Sequence, residues 1–184
     1  SQNTNDLQWA VIEGKTDIVH AWVQECPTPH SVDVVAKINN ALHLAAHHNQ
    51  AEIVALLLPH VHVAHDNSAA LYTAAKRGHS ECVRLLLPIS DAKTGESDAL
   101  AEAAFEGHTE CVRLLLPFSD ATACEHRALR SAAMNGHTQC VEEILPYCAA
   151  DALLDSGALH MAISRNHWGC VDALWNSPWC QTVR

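Results

Sequence analysis

Apolar positions recur along this chain at helical spacing, and the pattern itself recurs. ALYTAAKRGHSECVRLLLPISDA begins at Ala70, ALAEAAFEGHTECVRLLLPFSDA at Ala99 and ALRSAAMNGHTQCVEEILPYCAA at Ala128, a period of 29 residues. A looser copy, ALHLAAHHNQAEIVALLLPHVHV, begins at Ala41, and ALHMAISRNHWGCVDALW begins at Ala158. The segment DLQWAVIEGKTDIVHAWV from Asp6 is a divergent first copy, which makes six. Self-similarity at such a period predicts stacked supersecondary units, each unable to bury its apolar face alone.

Each unit predicts two helices: a short one such as Ala70 to Arg77, then Gly78, then a second from His79 to Leu87 that Pro88 stops. Proline recurs at that point as Pro59, Pro117 and Pro146. The glycine before each His suits a left-handed turn, and Ser97-Asp98 offers a side-chain N-cap for the next helix. The expected fold is one all-α domain over residues 1–184, with hairpins at approximately 5–39, 40–68, 69–97, 98–126, 127–156 and 157–184.

The string A-A-x-x-G-H-x-E-C-V-x-L-L-L, at Ala74 to Leu87 and again at Ala103 to Leu116, resembles the ankyrin repeat, T-P-L-H-x-A-A-x-x-G-H-x-E-I-V-x-x-L-L. The resemblance covers nearly the whole chain. Two features depart from it: Thr-Pro is replaced by x-Ala (Asn40-Ala41, Asp98-Ala99), and only Leu42-His43 and Leu159-His160 keep Leu-His. The 29-residue period is also shorter than the family's ~33. The missing residues fall where the family places a β-hairpin finger, so an ankyrin-like helix-turn-helix solenoid mostly lacking fingers is expected. P-x-S-D-A, as Pro88 to Ala92 and Pro117 to Ala121, replaces the finger with a tight turn. Only the first junction is long enough to keep one, and Asp33-Val34-Val35-Ala36-Lys37 resembles the family's D-V-N-A-K there.

The third and fourth copies are identical at 17 of 23 positions, and four of the six differences lie in the first helix. Tyr72, Thr73, Lys76 and Arg77 become Ala101, Glu102, Phe105 and Glu106, then Arg130, Ser131, Met134 and Asn135 in the fifth copy. At about 100° per residue these positions span an arc of roughly 140°, with Leu71, Ala74 and Ala75 opposite. The frame is held while one stripe is rewritten. A merely solvated face fills with Glu, Lys and Gln, whereas this one carries Trp9, Leu44, Tyr72, Phe105, Met134 and Met161 among its charges. The candidate partner-binding stripe is therefore Trp9, Leu44, His47, His48, Tyr72, Thr73, Lys76, Arg77, Glu102, Phe105, Glu106, Arg130, Ser131, Met134, Asn135, Met161 and Arg165. Shorter first helices would line the concave side of the stack, and the ankyrin resemblance implies partner binding there.

Composition narrows the partner. Eleven basic residues against 21 acidic give a formal charge of −10, and no Lys/Arg cluster is present, which speaks against nucleic acid. No apolar run is long enough for a membrane span, and the start carries no signal-peptide pattern. A cytoplasmic protein is expected, or one in a host cytosol if it is a secreted effector. Ser rather than Met at the first position suggests a piece of something longer.

Eight cysteines in a chain this size point to free thiols in a reducing compartment rather than a disulfide scaffold. Cys82, Cys111, Cys140 and Cys170 share one repeat position with Ile18 and Ile53, so they read as buried aliphatic substitutes. Stacked equivalents about 8–10 Å apart are too distant to bridge. Cys26, Cys124, Cys148 and Cys180 receive no role, and Cys124-Glu125-His126 is a chance cluster unless its geometry makes a nucleophile. His79, His108, His137 and His167 recur at the start of the second helix and read as architectural. His47, His48, His60, His62 and His65 lie outside that pattern, and a Zn²⁺ site or pH-sensitive patch there is the minority reading. No metal or other cofactor is assigned.

No nucleophile elbow, Walker loop, dinucleotide fingerprint or HExxH helix appears, so no catalytic residue is expected. The five tryptophans occupy the first and last copies. Trp179 plugging the last hairpin, further protein beyond it, and dimerisation through the Trp-bearing C-terminal end are three open readings of Trp168, Trp175 and Trp179. A monomer is otherwise expected. The sequence thus reads as a protein-protein interaction module, with a targeting or substrate-recognition segment of a larger enzyme or effector as the alternative.

Overall fold

In the computed structural model, described over residues 2–25, 32–61, 68–148 and 157–177, every copy of the repeat is a helical pair. Helix α1 (Gln2–Ile12) is followed by α2 (Thr16–Gln24), α3 (Val32–His47) by α4 (Ala51–Leu57), and α5 (Ser68–Lys76) by α6 (Ser80–Leu86). Then come α7 (Thr94–Glu106) and α8 (Thr109–Leu115), α9 (Ala123–Asn135) and α10 (Thr138–Ile144), and α11 (Ala158–Ser164) and α12 (Trp168–Trp175). No strand occurs among the described residues, and the fold is the expected all-α hairpin solenoid.

The chain divides into two compact units, Ser1–Ala74 with Glu81–Asp91, and Ala75–Ser80 with Ala92–Arg184. In the first unit α1 packs on α3 and α2 on α4. In the second, α7 packs on α9 and α9 on α11, while α8 packs on α10 and α10 on α12. First helices thus stack on first helices and second on second. The Leu-x-x-Ala-Ala face of the second to fifth copies makes this close stacking possible, because methyl groups let helix backbones approach. Leu100, Ala103 and Ala104 in α7, and Leu129, Ala132 and Ala133 in α9, are fully buried. The second layer contributes Cys111, Val112 and Leu115, then Cys140, Val141 and Ile144.

The turn inside each hairpin is left-handed, as the glycines predicted. Gly14, Gly78, Gly107 and Gly136 have φ between 66° and 81°, and Asn49 and Asn166, the side chains that best tolerate this conformation, take the position in the second and sixth copies. A second reason for glycine appears only in the packing. A Cβ on Gly107 would stand 2.5 Å from the His137 ring, and one on Gly78 or Gly136 would stand 2.6 Å from His108 or His167. Those rings lie there because each Nε2–H donates to the carbonyl that ends the preceding first helix. His108 bonds Lys76 O at 3.1 Å, His137 bonds Phe105 O at 2.9 Å and His167 bonds Met134 O at 3.1 Å. A carbonyl can only accept, so the bond fixes the proton on Nε2. His108, His137 and His167 are architectural because they close helix ends across the repeat boundary.

At the junctions the structure departs from the expectations. Asp33 to Lys37 are not a finger: they lie in α3, where Val35 and Ile38 are buried at helical spacing. Ser97-Asp98 does not cap a helix. Ser97 lies inside α7 at φ 65°, where its Oγ accepts the amide of Asp120 at 2.9 Å, and Asp98 pairs with Arg127. Both side chains are committed to the neighbouring hairpin. The first helices are also longer than the second in the first five hairpins, because junction residues are absorbed into them. Proline does end the second helix, inside a 3-10 turn at Leu58–His60, Leu87–Ile89 and Leu145–Tyr147. In P-x-S-D-A the Ser and Asp have separate tasks. Ser119 Oγ donates to Ala92 O at 3.4 Å, and Asp120 Oδ1 accepts the Thr122 amide and hydroxyl at 2.8 and 2.7 Å. Those two bonds hold the Asp120 carboxyl below its usual range.

Cys82, Cys111, Cys140, Cys148 and Cys170 are buried free thiols, and Cys124 is an exposed one. Thr109 Oγ1 and Thr138 Oγ1 lie within hydrogen-bond reach of Cys140 Sγ at 3.4 Å and Cys170 Sγ at 3.5 Å. Cys82 Sγ faces Asn49 Oδ1 at 3.9 Å. Cys124, Glu125 and His126 all have left-handed backbone, with φ of 50°, 54° and 58°, and His126 is buried. Cys26 and Cys180 lie outside the described residues, as do His62, His65 and Trp179.

Two measurements follow from this packing. Gly157 also has positive φ but no atom within 4 Å of a Cβ, so Gly157→Ala is expected to cost about 1 kcal/mol of backbone strain alone. Gly107→Ala adds the His137 clash and is expected to cost at least about twice that in urea denaturation; equal losses would mean the ring moves aside freely. Burial raises the Cys82 and Cys148 thiols from 9.0 to about 11. The folded chain therefore holds these protons more tightly than the unfolded one, and its melting temperature should fall as pH rises from 9 towards 11. A Cys82→Val, Cys148→Ala variant should lose part of that dependence, and an unchanged profile would count against thiol burial as its source.

Candidate partner-binding stripe

The four rewritten positions of a first helix sit opposite its buried Leu-Ala-Ala face, so the core fixes where they point. In the first unit Trp9 and His48 are exposed, while Leu44, His47, Tyr72 and Thr73 are partly exposed. Thr73 Oγ1 donates to Ala69 O at 2.8 Å and lies 3.4 Å from His43 Nε2. The His47 and His48 rings are 4.7 Å apart and tilted. Among the described residues no three His, Cys, Asp or Glu side chains cluster as a metal site would require. A cavity of about 390 Å³ lies elsewhere in this unit, between second-layer elements, lined by His20, Val23, Gln24, Ala55, Leu56, Pro59 and His60.

In the second unit Lys76, Arg77, Phe105, Glu106 and Arg165 are exposed, and Glu102, Arg130, Ser131, Met134, Asn135 and Met161 are partly so. Phe105 leaves 40% of its surface open to water. Glu102 is the electrostatic centre: one carboxylate oxygen lies 3.2 Å from Lys76 Nζ and the other 3.6 Å from Arg127, which also holds Asp98. Arg130 stands 4.0 Å from the exposed Glu125. Asn135 is braced inward, its amide donating to Phe105 O at 3.2 Å and Ser131 O at 3.1 Å. Among the described residues Arg77, Glu106 and Arg165 form no ion pair.

The stripe is narrower at one point than the copies suggested, since Ala101 at the Tyr72 position is 3% exposed. In the first unit one further residue belongs to the stripe by register. Ile12 occupies the Phe105 position of the first copy and is exposed, a residue legible by register alone. Phe118 and Tyr147 are half-exposed after Pro117 and Pro146, a second row of open apolar groups. Its signal was the change of Ile89 to Phe118 between otherwise matching P-x-S-D-A junctions. In the last hairpin Ile163 stands where Ala104 and Ala133 are buried, yet is 48% exposed because no further described hairpin covers it. Trp168 and Trp175 are exposed beside it in sequence.

The family described as ankyrin repeats (3 copies) matches residues 7–98 and 100–181. The chain belongs to the ankyrin-repeat family. Its structure is similar to the crystal structure of the ankyrin repeat domain of Bcl-3, a unique member of the IkappaB protein family. The TM-score is 0.73 at 25% identity, over 94% of this chain and 86% of that one. No curated protein matches the sequence. Ankyrin repeats generally serve as protein-protein interaction modules and typically as non-catalytic scaffolds. Among the described residues no helix is long and apolar enough to cross a membrane.

Because the stripe lies outside the core, its substitution should spare the fold. Phe105→Ala and Met134→Ala are each expected to change unfolding free energy by less than about 1 kcal/mol, whereas Leu100→Ala, fully buried, should cost about 2–5 kcal/mol. Comparable losses at all three would place Phe105 and Met134 in the core.

Proposed function

We propose that this chain binds a protein partner through the first-helix stripe and performs no catalysis itself. The observation that supports the reading is the contrast within each first helix. In the second to fifth copies Leu, Ala and Ala are held and buried, while the opposite side chains are rewritten and keep Phe105 and Met134 in contact with water, as Trp9 is in the first copy. Selection for stability alone gives no reason to expose large apolar groups in register. A stacked-helix surface is already rigid, so binding costs little ordering entropy, and the aromatic and Met side chains act as desolvated anchors. The proposal includes a cytoplasmic setting, which the free thiols favour.

The test compares capture of partners from cytosolic lysate by the intact chain and by an Arg77→Glu, Phe105→Ala, Met134→Ala variant, with matched melting curves. Loss of a partner by the variant, at about 2 kcal/mol or roughly 30-fold in affinity, is the expected result. Equal capture by both would move the site to Phe118 and Tyr147 or to the exposed tryptophans of the last hairpin.

A further inference from the structure

The two sides of a hairpin can be told apart by which neighbour buries them. The position held by Ile53, Cys82, Cys111, Cys140 and Cys170 is buried in every copy but the first, where Ile18 is 38% exposed. It marks the side turned to the preceding hairpin. The position held by Val11, Ala46, Ala75, Ala104 and Ala133 is buried in every copy but the last, where Ile163 is 48% exposed. It marks the side turned to the following hairpin. Side-chain bonds in the second unit run the same way. Thr109 and Thr138 reach forward to Cys140 and Cys170, and His137 and His167 reach back to the carbonyls of Phe105 and Met134.

The first and last described hairpins therefore each present one uncovered stacking side, and the two sides are complementary. On the last, the forward side holds Ile163 together with Trp168, 61% exposed where Thr109 and Thr138 stand, and Trp175, 52% exposed where Leu116 and Leu145 are buried. The Ser164 carbonyl occupies the place of those of Phe105 and Met134, with no following described hairpin to bring it a histidine. On the first, the backward side holds Ile18 in the place of the thiol and the exposed Lys15 in the place of the histidine. A terminal hairpin that faces water carries a polar outer face, yet the stacking position is isoleucine at both ends.

We infer that the protein associates with itself head to tail, the forward side of the last hairpin of one copy stacking on the backward side of the first hairpin of the next. The contact continues the hairpin-on-hairpin stacking already present in each unit. One pairing changes: where steps within the second unit set a hydroxyl against a thiol, this one sets Trp168 against Ile18. Covering those two and Ile163 removes from water the apolar surface at stacking positions that only these hairpins leave open. Lys15 gives the Ser164 carbonyl the donor that an imidazole gives elsewhere, and its longer side chain spans the wider step that Trp168 imposes. A second copy fits better than an unrelated protein because the complementary side, in the same register, is carried by this chain. Two last hairpins face to face would also cover the tryptophans, but they would set forward side on forward side, a pairing no step within either unit makes, and would leave Ile18 open. The contact is heterologous, so a pair keeps one uncovered side of each kind and further copies can add. It is independent of the first-helix stripe and of the partner binding proposed there.

The test reads the mass of the intact 184-residue chain by sedimentation velocity and light scattering. Protein concentration runs from about 1 to about 200 µM in about 0.15 M NaCl, which screens its net negative charge beyond about 8 Å. The weight-average mass is expected to rise with concentration. Ile18→Glu blocks one side and Trp168→Glu the other, so each variant alone is expected to associate about tenfold or more weakly than the parent. An equimolar mixture of the two is expected to form a pair and nothing larger, because each supplies the side the other lacks. Both positions are exposed, and circular dichroism melts matching the parent's show that the fold is kept; Trp168→Gln replaces the glutamate variant if its melt falls. A parent that stays monomeric over the whole range overturns the inference. An Ile18→Glu variant that still dimerises alone overturns it in favour of pairing through the tryptophans. A mixture that stays monomeric while the parent associates overturns it as well.

Discussion

A helix ends in carbonyls that have no donor within the helix, and in this chain the carbonyl at the end of a first helix is taken by an imidazole from the next hairpin. That bond sets several other features. It requires the ring to lie over the turn, which leaves no room for a Cβ, and the same turn is left-handed, so glycine meets two demands at once. It also spaces successive hairpins, because the ring, the carbonyl and the helix ends must meet at 2.9 to 3.1 Å in each step of the second unit. The thiol and hydroxyl contacts below it, Thr109 with Cys140 and Thr138 with Cys170, follow the same one-hairpin step.

This arrangement leaves the outward first-helix side chains with little structural work. Stacking is secured by alanines and leucines on one side and by backbone carbonyls at the end, so the opposite side can change without disturbing the repeat. The exceptions mark where that freedom stops. Asn135 is held by the carbonyl of Phe105 that His137 also uses, Glu102 joins Lys76 to Arg127, and Ala101 is buried. The stripe is a surface with fixed members and free ones, and the free ones carry its apolar character.

Much of this was legible in the residues. The 29-residue self-similarity named the hairpins, the Gly-His pairs marked the turns, and the comparison of the third and fourth copies separated a fixed face from a variable one. Register alone places Ile12 among the stripe positions. The junctions were misread because their side chains act on partners a whole repeat away. Ser97 resembles a cap until its oxygen is found on the Asp120 amide, and Asp33 to Lys37 resemble a finger until Val35 and Ile38 are seen buried at helical spacing.

The sequence by itself determined the unit, the layers and the buried face, because periodic apolar burial and turn chemistry are local and repeat identically. Only the tertiary structure decided which histidine nitrogen bonds which carbonyl, which stripe charges are neutralised, and which apolar residues remain open to water. Those outcomes depend on distances between side chains about one repeat apart, and a charge such as that of Glu102 changes its meaning when Lys76 and Arg127 stand on either side of it.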